Sequence, residues 1–332
     1  MSIRGAASRW WSAAIARPAL SIATLGFVGL ALSCLAGIVQ QFGGNPADLG
    51  FLGAKHSLPV ELFAWCFFAI ALLVVLGSTA ARDASWVLRV GVAVCLLGAT
   101  LQCAAVAFSV RTLDYAIPPL SLYKAEFSLE ALGWLLLSLG VLILQRNWAE
   151  ARPGQRSAMR APASAARRTW QRTLLVVALA SLCSACGATF GFGSFIEWQR
   201  SRSQAVLLSS YGPQVLTWMA VAAAALIVLN AARHDELPRR LVIPAGLAVA
   251  GGVVLTVSTA SLLTAVEIVY RYLKYGWITP LIRVEAVGAC VGMLAFAGAC
   301  VVAAAGRGDS SSGHSSIPGA PPYWPRVVTQ TS

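Results

Sequence analysis

Glu126 and Glu130 stand four residues apart in the stretch SLYKAEFSLE, a spacing that puts both carboxyls on one face of a helix. A run of apolar residues follows them, so they open a segment long enough to enter a membrane. At about 1.5 Å of rise per residue, Glu130 lies roughly 13 Å inside the boundary at which the segment starts. That depth approaches the middle of a hydrocarbon core about 30 Å thick. Two carboxyls on one face at that depth are desolvated and repel one another. Such a group serves as a proton carrier or a cation ligand, or it is held neutral by hydrogen bonds to a neighbouring helix, as polar residues are between membrane helices. The residues leave both roles open.

The phrase LYKAE, Leu122–Glu126, has a partner in LIRVE, Leu281–Glu285, 159 residues later. Each sets a basic residue, Lys124 or Arg283, two places before a glutamate, Glu126 or Glu285. Two residues turn a helix by about 200°, so base and acid within one phrase point apart. Reciprocal pairs between the phrases, Lys124 with Glu285 and Arg283 with Glu126, are the alternative, and would clamp two parts of the chain together. Glu61 and Glu267 fall toward the same membrane face by segment order, near Arg111, Arg271 and Lys274. A mixture of that kind suits a vestibule for a zwitterionic or amphipathic ligand, or a girdle of structural salt bridges.

The elements that must position these groups follow from composition. The 332 residues are 58% hydrophobic and 11% charged, with a mean hydropathy of +0.71. A soluble domain carries roughly 25% charged residues, so much of this surface must face lipid. Eight continuous apolar runs, at roughly 18–41, 58–80, 87–110, 122–145, 172–195, 206–229, 241–268 and 281–304, predict an all-α integral membrane protein of about eight transmembrane helices. Their continuity excludes the short alternating segments of a β-barrel. Tyr211 and Pro213 leave the start of the sixth run indistinct. The net charge of +12 is distributed by side: 17 of the 25 Lys and Arg fall on the face that holds both termini. The other face carries eight bases and eight acids. This asymmetry reads as membrane topology, with both termini in the cytoplasm of a bacterial inner membrane, rather than as a nucleic-acid surface. The N-terminal MSIRGAASRWWSAAIARP is followed by too long an apolar run for a cleaved signal, and Trp10 and Trp11 suit the interface.

All eight cysteines lie inside the apolar runs, which speaks against an external disulfide framework. Cys183 and Cys186 form one CxxC, read as small packing residues since a thiol in hydrocarbon is inert. The three histidines, His56, His234 and His314, fall in loops or the tail, so neither a metal nor a haem site is indicated. GFLGAKHS lacks the adjacent Gly-Lys-Ser/Thr of a phosphate loop, HExxH and GxSxG are absent, and no cofactor is implied. The spacing of SLYK alone does not make a Ser-Lys pair.

Landmarks recur in order along the chain. Phe42-Gly43 matches Phe192-Gly193, Pro59 with Leu62 matches Pro213 with Leu216, Ala80–Arg82 matches Ala231–Arg233, Tyr115 matches Tyr270, and Gly133 matches Gly292. Two parallel four-helix repeats are therefore expected, with a pseudo-twofold axis along the membrane normal. The organisation becomes a cytoplasmic segment 1–17, a first membrane half 18–145, a basic linker 146–171, a second half 172–305 and a Ser-, Gly- and Pro-rich tail 306–332. Glu130 has no acidic counterpart, because Ala289 stands at its repeat position. GxxxG at Gly187–Gly191 and Gly288–Gly292 points to close helix packing. The expectation is a permease or exporter of a small or amphipathic solute, coupled to protons or cations. The alternatives are a non-catalytic scaffold, holding a membrane-protein partner through helix faces or residues 306–332, and an integral enzyme acting on lipid-linked substrates. Membrane lipids are the surroundings expected in every case.

Overall fold

The computed structural model describes residues 17–43, 51–81, 85–112, 120–149, 161–201, 205–272 and 278–305. The segment 1–16, the tail 306–332 and the centre of the basic linker lie outside them. So do Lys274 and the side chains of Glu267 and Arg271. The described chain folds into eight long α-helices: α1 Pro18–Gly43, α2 Phe51–Ala81, α3 Trp86–Thr112, α4 Leu120–Ala149, α5 Ala161–Ser201, α6 Ala205–Arg233, α7 Val242–Tyr272 and α8 Ile278–Ala305. Among the described residues there is no strand, and all eight helices are long and apolar enough to cross a membrane. The architecture fits a multi-pass membrane protein.

Local chemistry sets the boundaries. Pro18, whose missing N–H costs nothing in a first turn, begins α1. The Ser85 hydroxyl accepts the Leu88 N–H at 3.3 Å and caps α3. α6 ends in a Schellman turn: the Glu236 N–H reaches the Ala231 carbonyl at 2.9 Å across Asp235, whose φ of 59° is left-handed. Helix enters the basic segment 146–171 from both sides, since α4 runs to Ala149 and α5 begins at Ala161. Alanine and arginine are strong helix formers, so Arg167, Arg168 and Arg172 ride on the first turns of α5. Pro213 sits inside α6, and the Thr217 hydroxyl donates to its carbonyl at 3.0 Å.

Each helix packs on its neighbours in the chain, and α8 returns to α1, closing a ring of eight. Arg17 completes the closure by donating from Nη1 to the Ala303 carbonyl near the end of α8. Neighbours run antiparallel. Thus Gly29 and Ser33 of α1 meet Ala64 and Ser57 of α2 in reverse order. One end of the bundle, here the near end, holds the starts of the odd-numbered helices; the far end holds the starts of the even-numbered ones.

Packing inverts the habit of water-soluble proteins. Most of the buried residues are alanine, glycine, serine or threonine, and among the described residues Leu255 is the one large side chain that is fully buried. Leucines such as Leu32, Leu97, Leu139, Leu179 and Leu226 point outward. Where the surroundings are as apolar as leucine, small residues win the interior because they let backbones approach and make dispersion contacts. α3 and α4 approach closely. A Cβ added to Gly133 would stand 2.7 Å from Gln102 Nε2 and 2.9 Å from the Gly98 carbonyl. Buried hydroxyls are satisfied within the helices or across them, as when Ser138 donates to the Ala178 carbonyl at 2.9 Å between α4 and α5.

Candidate functional site

The exposed residues of each helix mark its outward stripe and so reveal what faces the interior of the ring. On α4 the stripe runs through Lys124, Ser128, Leu132, Leu135 and Leu139. Glu126 and Glu130 are each two residues from a member of that stripe, about 200° around the helix, and therefore face inward. The stripe of α2 is Phe63, Ile70 and Leu73, which places Glu61 inward. On α8 the stripe Val284, Val287, Val291 and Leu294 sends Glu285 inward. All four carboxyl residues are half-buried and all lie in the far half of the bundle.

Glu61 and Glu130 are placed alike. Each is ten residues into its helix and each is followed one turn later by a tryptophan, in ELFAW of α2 and EALGW of α4. The two indoles, Trp65 and Trp134, meet across the interior with ring centroids 5.5 Å apart at 81°. Each lies close to its own glutamate. Glu61 is within electrostatic range of both Glu126 and Glu130. Gln102 of α3, 2% exposed, donates from Nε2 to the Glu130 backbone carbonyl at 2.9 Å and fixes the register of that turn. Glu126 lies near Ser109 of α3, whose hydroxyl donates to the Ala105 carbonyl at 3.3 Å. Glu285 stands apart, nearer Cys34 of α1, which in turn lies in range of Glu61.

Rings continue the site toward the near end. Trp65 contacts Phe68 (5.7 Å), Phe68 contacts Phe27 of α1 (4.9 Å), Phe27 stacks on Phe296 of α8 (5.4 Å), and Phe296 reaches Trp218 of α6 (6.4 Å). The carboxyls thus sit above an aromatic layer that crosses the ring from α4 to α6. Edge-on and offset contacts of this kind are the favoured geometry of aromatic pairs.

Four of the seven residues singled out by type and spacing, Glu61, Glu126, Glu130 and Glu285, face the interior. Lys124 does not: it lies on the outward stripe of α4, exposed. Arg283 occupies the start of α8 with its Nε buried. α4 and α8 stand at opposite positions in the ring and share no packing interface. The reciprocal clamp between the two phrases is therefore not the contact that joins the halves. Glu267 lies on α7, its side chain outside the described residues. Cys186 is on the outward face of α5 and Cys183 is half-buried beside it; every described cysteine is free. The twin E-x-x-x-W pattern, Gln102 and the aromatic layer were not singled out from the sequence, although the two pentapeptides are visible in it.

Among the described residues no three His, Cys, Asp or Glu side chains come together as they would around a metal ion. Chemically, the interior offers carboxyls that bind protons or positive charge, and flat rings that bind apolar bodies or cations. Comparisons with family models, curated proteins and solved structures return no match.

Proposed function

We propose that the chain is an inner-membrane permease or exporter of a small or amphipathic solute, coupled to protons, with both termini in the cytoplasm and the far end outside. The observation that carries this reading is the meeting of Glu61–Trp65 and Glu130–Trp134 inside a closed ring of helices. Inward carboxyls at membrane depth are costly and are kept where they line a solute or proton path. Two carboxyls beside two indoles suit a solute with positive charge on an apolar body.

The two halves are parallel repeats in this reading, which equivalent contacts support. Gly98 and Gln102 surround Gly133 between α3 and α4 as Gly251 and Leu255 surround Gly292 between α7 and α8. Trp65 reaches α4 as Trp218, 153 residues later, reaches α8. The same offsets set Gln214 against Glu61, Leu255 against Gln102 and Ala289 against Glu130. Coupling is therefore assigned to the first half, while the second keeps the scaffold with uncharged residues at these three positions.

The test uses vesicles with an internal pH dye and a panel of amphipathic amines, acids and zwitterions. At least one solute should dissipate an imposed pH gradient through the wild-type protein, and Glu130→Gln should abolish that flux while inserting normally. Equal flux in the variant overturns the coupling role. A protein that moves no solute, yet co-purifies with a partner lost on deleting residues 306–332, is a scaffold instead.

A further inference from the structure

The corner where α5 meets the α6–α7 turn is tied together by packing and hydrogen bonds. Leu237, 2% exposed, plugs a cluster of Ala231, Ala232, Trp170 and Val242. The Thr169 hydroxyl donates to Glu236 Oε2 at 3.0 Å and ties the turn to α5. Both acids of the turn are engaged, Glu236 by Thr169 and Asp235 by Arg239 at 2.7 and 3.0 Å. Arg168, Arg172 and Arg233 stand exposed around them, and among the described residues none of the three forms an ion pair. The arginine at the neighbouring α8–α1 corner differs, since Arg17 is committed to the Ala303 carbonyl.

The surface below these guanidinium groups is apolar and continuous with them. Arg168 and Arg172 head the outward stripe of α5 that continues through Leu175, Leu179 and Leu182. Arg233 ends the outward stripe of α6, above Leu226 and Met219. α5 and α6 are packed side by side, so three positive charges crown one greasy face. Guanidinium matches phosphate by paired N–H donors, and leucine stripes match acyl chains.

We infer that this corner is a binding site for an anionic phospholipid, its phosphate held by Arg168, Arg172 and Arg233 and its acyl chains lying along Leu175, Leu179, Leu182 and Leu226. The inference needs the bundle to cross a membrane but is independent of whether the interior moves a solute. Charge alone would accept a free phosphate as well; the stripes beneath the arginines are what select a lipid.

The test is native mass spectrometry of the full chain in detergent, titrated in turn with phosphatidylglycerol, phosphatidylcholine, glycerol 3-phosphate and inorganic phosphate. Phosphatidylglycerol should bind at concentrations where the other three do not. Arg168→Gln/Arg172→Gln/Arg233→Gln should weaken it roughly tenfold or more, each arginine near an anionic headgroup being an appreciable attraction. The corresponding triple lysine variant should keep most of the affinity, as should Arg111→Gln/Lys124→Gln at the far end. Equal retention of phosphatidylcholine, or full affinity in the glutamine triple, overturns the site. Competition by glycerol 3-phosphate or inorganic phosphate as strong as by the lipid shows a phosphate site without lipid selection, and overturns the lipid assignment. Should the glutamine triple fail to fold, the lipid comparison on the wild type and the lysine variant decides.

Discussion

Glu130 and Asp235 show how differently two acids can be used in one chain. Glu130 lies inward at membrane depth, beside Trp134 and under a backbone held by Gln102. Its depth was legible from a count along the helix, but its company was not, because Glu61 is 69 residues away and only the parallel contact of α2 with α4 joins them. Asp235 is exposed, in the left-handed cap of α6, and the guanidinium of Arg239 hydrogen-bonded to it holds its carboxyl below the ordinary 3.8. A carboxyl whose folded value is depressed stabilises the fold above its unfolded value, and that contribution is lost as pH falls through the folded one. The pair is solvent-screened and its effect is small. Asp235→Asn keeps the left-handed backbone accessible and removes the charge. The difference in melting temperature between it and the wild type should therefore be flat at neutral pH and shrink in acid below about pH 4, as followed by thermal unfolding in detergent. Asp235→Val, which resists a positive φ, should lower the melting temperature at every pH.

At the scale of elements, hydropathy and length made all eight helices readable, since a run of about 20 apolar residues leaves the backbone no alternative in lipid. The start of α6 was obscured because Pro213 interrupts the pattern without ending the helix. The start of α5 lies ahead of its apolar run because its first turns are polar and arginine-rich, so helix propensity rather than hydropathy extends it to Ala161. Which helices touch was not legible, as a stripe of leucines tells where lipid lies and not which neighbour fills the other face. The α3–α4 contact gives a direct check. Gly133→Ala places a methyl against the Gly98 carbonyl, a backbone atom that cannot swing aside. It should cost about 1–3 kcal/mol of stability by overpacking. Gly77, with nothing within 4 Å of an added Cβ, should accept alanine without loss. Leu237→Ala empties the near-end cluster and should cost about 2–5 kcal/mol. Unfolding midpoints of the three variants in one detergent compare these directly.

For the molecule as a whole, the ring closes because α8 returns to α1, and that closure brings side chains from α1, α2, α4, α6 and α8 to one aromatic layer. Order along the chain points to a repeat, and the Gly98–Gly133 and Gly251–Gly292 contacts are alike; at the matching positions Gln214, Leu255 and Ala289 stand where the first half has Glu61, Gln102 and Glu130. The central claim is that water reaches the carboxyls inside the ring from the far side, since a proton path requires it. The direct measurement places a single cysteine at position 130 in an otherwise cysteine-free chain, inserted in sealed vesicles of known orientation. Membrane-impermeant thiol reagent is then added to each face in turn. The account predicts modification at position 130 from the face carrying the α1–α2 and α3–α4 loops, and none at Leu139, on the outward stripe of the same helix, when it is replaced in the same way. Position 130 left unmodified from both faces in intact vesicles, yet reactive once the protein is unfolded, would contradict it and make Glu130 a structural group sealed between helices.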